Sequence, residues 1–178
     1  EGPPSKEWET DVLKVGETGF RVIWSNQWEP STKIQHAANV YRKQFGNDVL
    51  VNEDINVLLE KDYPFPDHDI LVGGFPCQDF SVANTLARSK GLEGTKGNLW
   101  YAIAELIKRK QPKYCLFENV NRLLLSPALE RGRDFAYMLT TLNDMGYGVE
   151  WMVIDASAYG FPQKRKRVFF MCYRNNRV

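Results

Sequence analysis

An α/β fold, an open and largely parallel sheet with helices on both faces, is what this sequence predicts. Short apolar runs alternate with longer amphipathic stretches, and the apolar runs end in polar or reactive residues. The composition supplies a core, with 43% of the 178 residues hydrophobic and 25% charged. Strand–helix alternation is the pattern of such a sheet. A chain of this length is expected to form a single domain over 1–178.

The runs Phe20–Trp24, Asp69–Val72, Tyr114–Phe117, Val149–Ile154 and Val168–Cys172 are rich in Val, Ile, Phe and Tyr. They are bounded by Gly, Pro, Asn or Asp, which predicts strands. Helices are predicted over Thr32–Phe45, Leu99–Lys110 and Asp134–Asn143. The first carries Ala37, Val40, Tyr41 and Phe45 as its apolar positions. The second has Leu99, Ile103, Leu106 and Ile107 on one face, and the third Phe135, Met138, Leu139 and Leu142. Gly46, Pro112 and Gly146 stand where the three should stop.

The bulk numbers exclude several classes. Disorder needs low hydrophobicity and high net charge, and this chain has neither. With 23 Lys+Arg against 22 Asp+Glu the formal charge is +1, without the basic excess usual in a protein built mainly to grip nucleic acid. Cys77, Cys115 and Cys172 are widely spaced, no CxxC pair exists, and His36 and His68 are the only histidines, so neither a structural zinc site nor a disulfide framework is expected. No apolar stretch approaches the ~20 residues that span a bilayer, and no signal peptide is visible. No membrane partner is expected. The first residue is Glu1, which leads us to expect a chain that begins inside something longer.

In open α/β sheets ligands bind beyond the carboxyl ends of the strands. The apolar runs here lead, in order along the chain, into Ser25–Pro30, Asn52–Ile55, Gly73–Gln78, Glu118–Val120, and Asp155 with Tyr159–Arg167. The rule predicts that these segments converge on one crevice. Each also has a plainer reading. A lone cysteine is usually a small buried hydrophobe. Cys115 and Cys172 lie inside apolar runs and fit that reading, whereas Cys77 sits in a polar, Gly- and Pro-bounded loop. Asp54 reads equally as the cap of a helix starting at Ile55. Gln163–Arg167 reads as a solvated charge run, though its place between a Gly-Phe-Pro turn and a strand is unusual for one. Trp28 could be a packing aromatic.

Taken in order, Gly74-Phe75-Pro76-Cys77-Gln78, Glu118-Asn119-Val120 and Gln163-Lys164-Arg165-Lys166-Arg167 resemble the motifs of the DNA cytosine-C5 methyltransferases. Ser25–Pro30, Asn52–Ile55 and Gly97-Asn98-Leu99-Trp100 resemble further motifs of that family, and the match runs over nearly the whole chain. The resemblance implies a Rossmann-like, mixed, mainly parallel sheet of the adenosylmethionine-dependent methyltransferase kind. It implies Cys77 as the thiolate that adds to cytosine C6, and Glu118 as the acid that relieves charge at N3. Arg165 and Arg167 would hold the base O2 and phosphates, and their charge would favour the thiolate. Asn119 would shape the loop that carries Cys77 and Gln78. The cofactor implied is S-adenosylmethionine, converted to S-adenosylhomocysteine, with no metal. Trp28 would stack on its adenine, Asp54 accept from the exocyclic amine, Ile55 pack on the ring, and Phe75, Pro76 and Leu99 line the pocket. Ser81–Lys96 resembles the family's loop that closes over DNA, where the target base is flipped out.

The sequence departs from the family in places. The ribose-binding acid is matched by Gln27, whose amide lacks charge-assisted strength, and Glu29 is an alternative. The opening Phe-x-Gly-x-Gly strand is represented at most by Gly2. The chain stops at Val178, before the family's target-recognition region. We therefore expect a catalytic fragment or one half of a split enzyme, with weak DNA binding and little turnover alone. The missing part would supply most phosphate contacts and sequence reading, which accounts for the near-zero charge. Double-stranded DNA is the expected partner, completed by a second chain or segment, in an intracellular setting (cytoplasm or nucleoid if bacterial). The alternatives are a tRNA cytosine-C5 methyltransferase and a non-catalytic partner subunit.

Overall fold

The computed structural model describes residues 19–75, 99–126 and 130–175. The chain divides into two units, Glu1–Asn52 and Glu53–Val178.

In the first unit, β1 (Ser25–Asn26) and β2 (Leu50–Val51) pair in parallel, Ser25 opposite Leu50 and Asn26 opposite Val51. Helix α1 (His36–Phe45) connects them. The strand expected over Phe20–Trp24 is not formed. A strand exists only where a neighbour supplies its ladder, and here the ladder opens with Ser25 N donating to Val49 O at 2.8 Å. Upstream of it Phe20 and Val22 are exposed. Helix α1 starts four residues later than Thr32, because Thr32 and Gln35 are held in the preceding loop: Thr32 Oγ1 donates to Ile34 O at 2.8 Å, and Gln35 Nε2 donates to Thr32 O at 3.0 Å. Its buried residue is Ala38 rather than Ala37 or Val40. The helix stops as expected at Gly46, at φ 85°, where a side chain would be strained.

In the second unit, Asp54 caps α2 (Ile55–Glu60) by accepting from Asn56 N at 2.8 Å. Next come β3 (Ile70–Gly74), α3 (Leu99–Lys110), β4 (Tyr114–Val120), a 3-10 turn (Asn121–Leu125), α4 (Arg133–Asp144), β5 (Tyr147–Asp155), a second 3-10 turn (Ala156–Tyr159) and β6 (Lys166–Arg174). The sheet order is β3-β4-β6-β5. β3 and β4 run parallel, whereas β6 is antiparallel to both neighbours. The last two strands thus form a hairpin whose second arm is inserted beside β4, so the sheet of this unit is mixed.

Strand alternation sends Cys115, Phe117 and Asn119 of β4 and Val168, Phe170 and Cys172 of β6 to one buried face. Trp100 and Ile107 of α3 and Phe135, Met138 and Leu142 of α4 pack on it. On the opposite face Val72 is 68% and Met152 62% exposed. Among the described residues no helix is long and apolar enough to cross a membrane.

Candidate active site

Insertion of β6 next to β4 decides the geometry of the site. Because the two are antiparallel, the beginning of β6 lies at the carboxyl end of β4, with Val120 opposite Arg167 and Glu118 opposite Phe169. Glu118 and Arg167 are therefore diagonal neighbours on one face. Arg167 Nε lies 2.8 Å from Glu118 Oε1, with only 22% of the Arg167 side chain and 36% of the Glu118 side chain exposed. Arg167 Nη1 also donates to Lys166 O at 2.8 Å, which fixes the guanidinium plane. Glu118 Oε2 has no hydrogen-bond partner among the described residues. On the other side of β4, Gly74 is the register partner of Glu118, and a Cβ there would stand 3.5 Å from Oε2. That oxygen thus borders the end of β3, the point where the chain proceeds to Pro76 and Cys77.

Asn119 points the opposite way and is 1% exposed. Its Nδ2 donates to Phe75 O at 2.9 Å, and its Oδ1 accepts from Val120 N at 2.8 Å. Phe75, the last described residue before Cys77, is fixed twice. Asn119 holds its carbonyl, and its ring is taken up by the core, 5.8 Å from Trp100 and 6.4 Å from Phe170 between ring centres. Leu99 packs at the edge of the same core.

Arg165 lies in the connection between β5 and β6. Its carbonyl accepts from Ala156 N at 3.0 Å, and its exposed guanidinium has no partner among the described residues. With Asn121, Asp155, Gln163, Lys164, Lys166 and Arg167 it lines an open cleft of about 630 Å³. Asp155 is the acid of this cleft. Hydrogen bonds from the Ser157 side chain and backbone hold its carboxyl below the usual range. The balance of the lining is basic, suited to an anion.

The groups expected to meet the cofactor present matching chemistry. Trp28 is 40% exposed and its indole stacks on no other ring among the described residues, leaving a face for a flat heterocycle. Ser31 donates to Glu29 Oε1 through its hydroxyl at 2.6 Å and its backbone at 3.2 Å, which holds the carboxyl below its usual range. Among the described residues Glu29 Oε2 is left unpartnered, as is the Gln27 side-chain amide; a diol needs such acceptors. In the second unit Asp54 Oδ1 is used by the helix cap and by Asn56 Nδ2 at 3.0 Å, and among the described residues Oδ2 has no partner, so it can accept from an amine. The cap and the binding reading of Asp54 are thus compatible. Ile55 opens α2 directly beside it. These donor and acceptor types fit an adenosine moiety.

Gly2, Pro76, Cys77, Gln78, Ser81–Lys96 and Gly97-Asn98 lie outside the described residues. The other two thiols do not compete for the role of nucleophile. Cys115 and Cys172 are buried and directly opposite each other on β4 and β6, and burial pushes both up, Cys172 to about 12. A neutral buried thiol is a poor nucleophile. The sequence points to Glu118 and Arg167 but not to their pairing, and Gln35 and Ser31 carry no motif that would single them out.

The family described as C-5 cytosine-specific DNA methylase matches residues 13–178. The Type II methyltransferase M.Sau3AI of Staphylococcus aureus is 50% identical over 157 residues, covering 88% of this chain and 38% of the relative. M.NgoBI of Neisseria gonorrhoeae is 40% identical over 158 residues, 89% of this chain and 45% of the relative. M.HhaI of Haemophilus parahaemolyticus is 34% identical over 164 residues, 92% and 46% respectively. The chain therefore spans less than half the length of these relatives. Among solved structures, the S. pombe Dnmt2 methyltransferase aligns with a TM-score of 0.60 at 18% identity, over 88% of this chain and 42% of that one. An E. coli prophage-encoded structure described as a DNA modification methyltransferase aligns with a TM-score of 0.57 at 23% identity, over 84% and 40%. These structural likenesses support the α/β methyltransferase fold.

Proposed function

As this chain belongs to the C-5 cytosine-specific DNA methylases, we propose that it carries the chemistry of methyl transfer from S-adenosylmethionine to C5 of cytosine in duplex DNA. One observation bears most of the weight: Glu118, ion-paired to Arg167 through Oε1 and open at Oε2, borders the strand end that leads into Cys77.

On this reading the Cys77 thiolate bonds to C6 of an extruded cytosine, and the electron pair of the C5–C6 bond moves to C5. Glu118 enters this step protonated at Oε2, which faces N3, and gives that proton to N3 as negative charge develops on the ring. Arg167 donates to Oε1 and, on this reading, offers its remaining donors to the base O2. Arg165 and the lysines of the cleft take phosphate oxygens, for which a forked guanidinium is well suited. Bound S-adenosylmethionine supplies the electrophilic methyl group. N3 returns its proton to Glu118, a solvent water takes the C5 proton, and the C5–H electron pair re-forms the C5–C6 double bond as the C6–S bond breaks and Cys77 leaves as the thiolate. This reading assigns Gln27, Trp28 and Glu29 of the first unit to the adenosine and, in the second unit, Asp54, Ile55, Phe75 and Leu99. Because the chain spans less than half of its relatives, target choice and much of the DNA grip belong to further protein, in this chain's parent or a partner.

The test is transfer of labelled methyl to duplex DNA by the intact protein. Glu118→Gln keeps size and a hydrogen-bond donor but cannot transfer the proton, so the rate should fall by about 10²–10⁴-fold with cofactor affinity retained. An unchanged rate, or transfer to tRNA rather than DNA, would contradict the proposal.

A further inference from the structure

Helix α1 begins on an unusual residue. Gln35 is its N-cap, yet the side chain makes no bond to the helix. Ser, Thr, Asp or Asn at that position normally satisfies a free helix N–H, and giving that bond up is a cost to the helix. The Gln35 amide turns back to the preceding loop, where all of its hydrogen-bonding capacity is used. Its Oε1 accepts from Glu29 N at 2.8 Å and from Asn52 Nδ2 at 3.3 Å. Its Nε2 donates to Glu29 O at 2.8 Å and Thr32 O at 3.0 Å. Glu29 is thus held at both its N–H and its C=O by one side chain. Asn52, at the end of β2, extends the clamp by donating to Gln27 O at 2.5 Å. Three successive residues, Gln27, Trp28 and Glu29, are bracketed from both ends, while their own side chains are left without a hydrogen bond to Gln35 or Asn52.

We propose that Gln35, assisted by Asn52, is the positioning residue that sets the Gln27–Trp28–Glu29 loop in the form that receives the nucleoside of the cofactor. The inference rests on the reading that this loop meets the adenosine. A local rule of helix capping is broken at a place where rigidity of a loop is worth more than the cap. Clamping the backbone of Glu29, with Ser31 fixing one carboxylate oxygen, aims the other oxygen without further ordering on binding, which is how preorganisation raises affinity. Gln35 does not touch the reacting atoms, so its removal should affect binding and not the chemical step.

The experiment measures calorimetric affinity for S-adenosylhomocysteine, together with the single-turnover methyl-transfer rate at saturating S-adenosylmethionine, in the intact protein. Gln35→Ala, Gln35→Glu and Trp28→Ala are compared with the unaltered protein. We expect Gln35→Ala to weaken binding roughly tenfold or more, from the loss of its hydrogen bonds, with the saturated rate within about twofold. Gln35→Glu keeps the acceptors and loses the donors to Glu29 O and Thr32 O, so it should fall between. If Trp28→Ala weakens binding and Gln35→Ala does not, the positioning role is overturned while the loop reading stands. If neither weakens binding, the loop reading itself falls and the proposal with it. If Gln35→Ala and Gln35→Glu lower affinity, saturated rate and melting temperature together, the residue is a general structural one and the proposal is wrong.

Discussion

Asn119 commits both halves of a fully buried amide to backbone, one to Phe75 and one to Val120. A polar side chain survives at 1% exposure only because each of its atoms is answered. Truncating it removes both hydrogen bonds from a buried site, so Asn119→Ala should cost about 2 kcal/mol or more in chemical denaturation. It should also slow covalent capture of a target base more than it weakens cofactor binding, since the carbonyl it holds stands two residues before Cys77. Equal losses in both would show that the contact is only structural. Glu118 and Arg167 differ from Asn119 in being reachable, and their ion pair holds two charges at the edge of the crevice rather than in the core. The identity of these side chains could be read from the sequence because each closes or opens an apolar run. Their pairing could not, because it depends on a register between strands about fifty residues apart. Gln35 could not be read at all, since a glutamine before a helix signals nothing by itself.

The arrangement of elements shows the same division. The apolar runs at Tyr114–Phe117, Val149–Ile154 and Val168–Cys172 fall in strands, as does Asp69–Val72 apart from Asp69, and the helices at Leu99–Lys110 and Asp134–Asn143 form close to their expected bounds. Periodicity reports which residues face a core, and for these elements a core is present. It does not report order. Placement of β6 between β4 and β5 is a property of the hairpin, and it turns a basic run that reads as a solvated loop into the start of a strand beside Glu118. Tyr147, at the first position of β5, secures this hairpin to the α3–β4 connection by donating its hydroxyl to Pro112 O at 2.6 Å. Burial, reinforced by nearby Cys115, raises its phenol from the usual 10.0 to about 12. A folded-state value above the unfolded one means that the contribution is complete below about pH 10 and is lost as pH rises toward about 12. Tyr147→Phe should therefore be less stable than the unaltered chain by about 1 kcal/mol at about pH 8, from the lost hydrogen bond. The gap should close in urea titrations as the pH approaches about 12. A gap that stays constant across that range would show that the hydroxyl is not buried as described.

At the scale of the whole molecule, a formal charge of +1 and exposed Val72 and Met152 stand beside the ordered motifs of the family that matches residues 13–178. The chain spans less than half the length of relatives such as M.Sau3AI and M.HhaI. The family is legible because its motifs are short, ordered and tied to strand ends. The apparatus of target choice is not legible, because nothing in these motifs encodes it. One thiol is central, Cys77, distinguished from Cys115 and Cys172 by its Gly- and Pro-bounded sequence setting and by their burial. Incubating the intact protein with S-adenosylmethionine and duplex DNA containing 5-fluorocytosine blocks the final loss from C5 and leaves the covalent adduct in place. Mass spectrometry of the cross-linked peptide should locate the bond at Cys77, and Cys77→Ser should abolish it. No adduct, or an adduct at Cys115 or Cys172, would contradict the account.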